Sequence, residues 1–155
     1  MNSEPEEQRV EFKYIINSKN LNRVIDHVSK NNYFFMKQYE DRKVNSLYFD
    51  SAKLSELNNT LDGSNMKKKF RYRFYGNIQE TINGQWEIKE KAGINTTKKI
   101  FDESISKSQL FDKKFLYYKS QFNTVNFYLR KYPISNRLIS YDRKYFFSKK
   151  YGNNF

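Results

Sequence analysis

The stretch from Lys67 to Lys91, KKKFRYRFYGNIQETINGQWEIKEK, constrains this chain more than any other. Its charges fall at a spacing of two, and successive side chains of a strand point to opposite faces. Lys69, Arg71, Arg73 and Tyr75 therefore share one face, and Phe70, Tyr72 and Phe74 share the other. The same rule sets Glu87, Lys89 and Lys91 opposite Trp86 and Ile88. Two such runs predict a hairpin turning near Asn83-Gly84. One side suits a core; the other is strongly positive and calls for an anionic partner.

The rest of the chain can be read around this hairpin. Residues 1–7 read as a disordered lead, and 8–155 suit a single domain with a modest core. RVEFKYIIN predicts a first strand with Arg9, Glu11 and Lys13 on one face and Val10, Phe12 and Tyr14 on the other. Leu21, Val24, Ile25 and Val28 follow helical spacing between a Ser18 cap and an Asn31-Asn32 stop. His27 in that helix has no second ligand or catalytic partner at a useful spacing, and reads as solvated or packed. After a loop over 39–42, KVNSLYFDS gives a second strand, and residues 51–61 a short helix closed by Asp62-Gly63. The basic hairpin follows, then a turn over 93–96 and a fifth strand in TTKKIFDES. Leu110, Phe111, Phe115, Tyr118 and Phe122 predict one helix over 107–127. Past a loop at Pro133 and Asn136, RLISYDRKYFF is a sixth strand, with Ser140 and Lys144 opposite Tyr141 and Arg143. The expected class is α+β with an antiparallel sheet.

Charge narrows the partner. There are 29 Lys and Arg against 17 Asp and Glu, a formal net charge of +12, which favours polyanions. With no cysteine, disulfides, thiolate zinc sites and cysteine nucleophiles are excluded, and a cytoplasmic setting is permitted. No apolar run reaches the roughly 20 residues that span a bilayer, and MNSEPEEQ is unlike a signal peptide, so the expectation is a soluble protein without a transmembrane segment. Phosphate-binding loops, dinucleotide fingerprints, GxSxG and HExxH motifs are all missing. What remains is a set of strand-borne cations, Lys13, Arg71, Arg73, Lys89, Lys91 and the Lys98-Lys99 pair, with Glu11 and Glu87 among them. Cations gathered on one face repel, and a bound anion offsets the repulsion. Arg offers forked donors to phosphate, and Glu can hold a divalent metal bridging phosphates. Two other readings fit the same spacing: a solvated face with cross-strand Glu–Lys pairs, and a nucleic-acid binder stacking bases on Tyr72 and Tyr75.

Five short motifs carry a family likeness: R-x-E-x-K-Y at 9–14, S-L-Y-F-D at 46–50, K-x-R-x-R-x-Y at 69–75, E-x-K-x-K at 87–91 and Y-D-R-x-Y-F at 141–146. In this order and approximate spacing the chain resembles the VTC domain, the polyphosphate polymerase branch of the triphosphate tunnel metalloenzymes, related to the CYTH proteins. The resemblance implies an antiparallel barrel of eight strands with flanking helices, enclosing a basic tunnel. There a nucleoside triphosphate gives its terminal phosphoryl group to polyphosphate, with Mn2+ or Mg2+ and no nucleic acid. It implies catalytic roles for Lys13, Arg71, Arg73 and Lys89. Phosphate contacts would add Lys91, Arg143 and Lys98 or Lys99, the local pattern leaving those two undecided. Glu11 would be the metal ligand. The R-I-T-x-D strand and final E-x-K strand of the family have no counterpart here, so about six of eight strands and an incomplete barrel are expected. A second chain is then a candidate to complete the barrel, and binding without turnover is the alternative function.

Overall fold

The structure is a computed structural model that describes residues 12–30, 35–112 and 118–148. The expected lead, together with Arg9 and Glu11, lies outside them. Among the described residues five strands, β1 (Phe35–Asp50), β2 (Met66–Tyr75), β3 (Thr81–Ala92), β4 (Asn95–Ser106) and β5 (Ile134–Ser148), form one sheet in the order β4-β3-β2-β1-β5. Every strand pair with a resolved register is antiparallel. The helices are α1 (Leu21–Lys30), α2 (Ser55–Leu61), α3 (Lys107–Phe111) and α4 (Asn123–Lys131). None is long and apolar enough to cross a membrane. The α+β class stands, but the sheet is open, with β4 and β5 at its edges, and no barrel closes among the described residues.

The contacts divide the chain into two units, residues 40–144 and the segments on either side of them. The flanking unit holds α1, a preceding 3-10 turn over Ser18–Asn20, and the edge-to-face pair Tyr39–Tyr145 at 5.4 Å. The strand expected over 9–17 does not form in its described part: residues 12–17 are irregular, and Phe12 is exposed. Asn17, not Ser18, supplies the cap, accepting from the Lys19 N–H at 3.0 Å. His27 is exposed on α1.

In unit 40–144 the period-two pattern acts as expected. Phe70, Tyr72 and Phe74 of β2 and Trp86 and Ile88 of β3 are all at most 2% exposed, and they join Leu110 of α3 and Val125 and Leu129 of α4 in one core. Each such side chain contributes about 1.5–3 kcal/mol when taken from water. Phe70 stacks on Trp86 at 5.2 Å between centroids.

The hairpin turn is displaced. β2 ends at Tyr75, Gly76 takes the left-handed conformation (φ 78°), and Asn83-Gly84 lies inside β3. Gly84 is a strand glycine because Tyr72 lies across it: a Cβ there would sit 2.6 Å from the Tyr72 ring and 2.6 Å from the Arg73 carbonyl. The Tyr72 hydroxyl reaches on to the carbonyls of Ile82 (2.8 Å) and Glu103 (2.7 Å). The expected loop at 39–42 is strand, and the single helix expected over 107–127 is broken after Phe111. Glu103 accounts for part of the break, since its carboxylate accepts from the Trp86 indole (2.7 Å), the Ser120 hydroxyl (2.7 Å) and the Gln121 N–H (2.8 Å). Segment 118–122 is thus tied to β4 through Ser120 and Gln121.

Candidate functional site

Cross-strand register, more than sequence spacing, decides which cations share a face. Lys69 of β2 stands opposite Lys89 of β3, which stands opposite Lys98 of β4. Two residues further along, Arg71 faces Glu87, and two further again Arg73 faces Gln85. On the other side Lys67 faces Lys91. All these residues project on the side away from Phe70 and Trp86. Rows two residues apart are about 7 Å apart along the strands, so four rows span roughly 20 Å.

At the centre, Glu87 is only 1% exposed beneath three cations. Its Oε2 accepts from Arg71 Nε (2.7 Å) and pairs with Arg71 Nη2 (2.5 Å). Its Oε1 accepts from Lys98 Nζ (3.0 Å) and Gln85 Nε2 (3.1 Å) and pairs with Arg73 Nη1 (3.4 Å). β1 supplies two further contacts. The Tyr48 hydroxyl accepts from Arg71 Nη1 at 2.6 Å, and the Ser46 hydroxyl from Arg73 Nε at 3.3 Å. Burial would push the Glu87 carboxyl up, but hydrogen bonds from Lys98 and Arg71 and the charges of Arg71 and Arg73 outweigh it and hold it below its ordinary value. Burial likewise works against the Arg71 cation, and Glu87 and Tyr48 reverse the effect. Since a guanidinium carries five N–H donors, both arginines keep donors beyond those given to Glu87, Tyr48 and Ser46.

The row Lys69–Lys89–Lys98 is a different environment. Among the described residues neither Lys69 nor Lys89 has an ion-pair partner. Like charges directly opposite on neighbouring strands are destabilising. A cavity of about 220 Å³ adjoins Lys69 alone of this row, lined also by Tyr48, Asp50, Glu56, Leu57 and Arg137.

The expected site residues thus divide. Arg71, Arg73, Lys89, Lys91 and Lys98 share one face. Of the undecided pair, Lys98 is on this face, whereas Lys99 stands opposite Ile88 and so lies on the helix side, where Lys68 pairs with Glu90 at 2.8 Å. On β5, Ser140 donates to Asn45 (2.6 Å) and Lys144 pairs with Asp41 (3.1 Å), so alternation puts Arg143 on the opposite side, that of Ser46 and Tyr48. Lys13 lies in the irregular segment of the flanking unit, not on a strand. Glu11 is outside the described residues. The spacing included Glu87 but did not mark it as the hub, and Tyr48, Ser46 and Gln85 were not singled out. Ser46 and Tyr48 do alternate within S-L-Y-F-D, which was their one visible signal.

Among the described residues the donor set does not form a metal centre. No group of three or more His, Asp or Glu is placed to hold an ion among the described residues, and the Glu87 oxygens already face three cations.

Comparison with known proteins bears on the same region. Neither curated proteins nor solved structures gave a match. A family model described as the VTC domain matches residues 8–153, and so runs through all five strands and the cationic face they build. The chain belongs to the VTC domain family.

Proposed function

We propose that this face binds a linear chain of phosphates, and that the domain transfers the terminal phosphoryl group of a nucleoside triphosphate to polyphosphate. The observation that carries the reading is the lysine row. Three ammonium groups on adjacent strands, two without an acid partner among the described residues, are costly in the free protein and become favourable once an anion lies across them. The roughly 20 Å run of rows suits an extended polyanion better than a single phosphate. Phosphoryl transfer asks a protein mainly to position the chain and to meet charge on the transferring oxygens. Arg71 and Arg73, each already fixed on two partners, are suited to that role beside Lys89 and Lys98. Lys13, Lys91 and Arg143 are proposed as further phosphate contacts, and Glu11 as the ligand of a divalent ion. Among the described residues, positioning and charge compensation fall to the cationic side chains.

Phosphate binding without turnover is the second reading, favoured by the lack of a metal-holding acid cluster among the described residues. Stacked bases find less support, because Tyr72 is in the core and the exposed Tyr75 ring lies 5.2 Å from the Arg42 guanidinium. Polyphosphate formation from ATP with Mn2+ separates the first two readings. Binding itself is read from the melting temperature, which tripolyphosphate should raise by linkage. An equal rise with sulfate at matched ionic strength would mean screening in place of a site, and would sink both.

A further inference from the structure

Glu87 lies under the cations, not beside them. It is 1% exposed, while the side chains of Arg71 and Arg73 above it remain 19% and 13% exposed and that of Lys98 42%. Removing a carboxylate from water costs several kcal/mol, and a negative charge subtracts from the pull of the face on an anion. For a surface meant only to attract phosphate, Glu at this position is unfavourable twice over. Its geometry suggests another use. One oxygen holds Arg71 through two nitrogens, the other gathers Lys98, Arg73 and Gln85, and the far sides of the arginines are tied by Tyr48 and Ser46. Long cationic side chains lose rotamer freedom when a ligand fixes them, so fixing them beforehand lowers the cost of binding.

Building on the phosphate reading above, we infer that Glu87 is a positioning residue, whose grip on Arg71, Arg73 and Lys98 makes polyphosphate bind more tightly than the charge of the face alone would. Charge and position predict opposite signs, and that makes the test sharp. Calorimetric titration of the full chain with tripolyphosphate, at fixed ionic strength and well below each melting temperature, compares the wild type with Glu87→Gln. If Glu87 only neutralises charge, Glu87→Gln adds a net positive charge and binds more tightly. If it positions, Glu87→Gln binds about tenfold more weakly despite that charge. Affinity equal to or above wild type overturns the inference. Should Glu87→Gln fail to fold, Glu87→Asp decides in its place: it keeps the charge and withdraws the carboxylate by one methylene. Weaker binding supports positioning, and unchanged affinity overturns it. A wild type that does not bind tripolyphosphate sinks the phosphate reading as well. A binding wild type with an unimpaired variant sinks only the role of Glu87.

Discussion

Gly84 and Glu87, three residues apart on β3, show how differently single positions constrain this protein. At Gly84 the constraint is space. Gly84→Ala would press a methyl group against the Arg73 carbonyl and a Tyr72 ring whose hydroxyl is itself held, so neither neighbour can yield cheaply. A loss of about 2 kcal/mol is expected, read as a lowered urea midpoint. At Glu87 the constraint is charge. Its carboxyl is held below the ordinary value of 4.5, so the folded state binds the proton less well than the unfolded chain does. Its stabilising effect is complete above that value and is lost as the pH falls through the lower folded value. As the pH falls below 4.5 the melting temperature of the wild type should therefore fall more steeply than that of Glu87→Gln. Parallel curves would show that Glu87 is not selectively stabilised as the anion.

Elements were legible where both faces of a strand are specified. β2 and β3 alternate apolar and charged residues, and both phases survive in the structure. The reading of 9–17 rested on the same alternation and failed over 12–17, since alternation names two faces without supplying the neighbouring strand that makes them. The helical run over 107–127 failed in part because of a residue outside it, Glu103, which no local pattern could connect to Ser120. The start of α2 is a similar case. Leu54 stands at the N-cap with φ 54° and gives no side-chain cap, while Asp50 at the end of β1 accepts from Ser51 N (2.7 Å), Glu56 N (3.1 Å) and Leu57 N (3.0 Å). The last residue of S-L-Y-F-D is thus a cap placed four positions early, and Asp50 is 3% exposed. Asp50→Ala should lower stability by about 1–2 kcal/mol, measured by thermal melting. A smaller change than Ala at an exposed surface acid such as Asp62 would show that the cap is dispensable.

At the scale of the molecule, the +12 charge and the lysine row, in which Lys69 and Lys89 have no ion-pair partner among the described residues, set stability against binding. Lys89→Ala removes the central ammonium of the row, so the free protein should melt slightly higher. The rise that tripolyphosphate induces should shrink at the same time. Added salt should act in the same two directions on the wild type, by screening the repulsion and competing with the ligand. A variant that melts lower and keeps the full ligand shift would mean the row has no part in binding. The lysine row and the Glu87 hub both presuppose that β3 pairs with β2 in one register. Parity is what that register protects: a slip of one residue would send Lys89 and Lys91 into the aromatic core and turn Trp86 outward. Gly84 accepts the Tyr72 ring where neither the Asn83 nor the Gln85 side chain would leave room, so the position with no side chain keeps odd-numbered residues of β3 on the charged side.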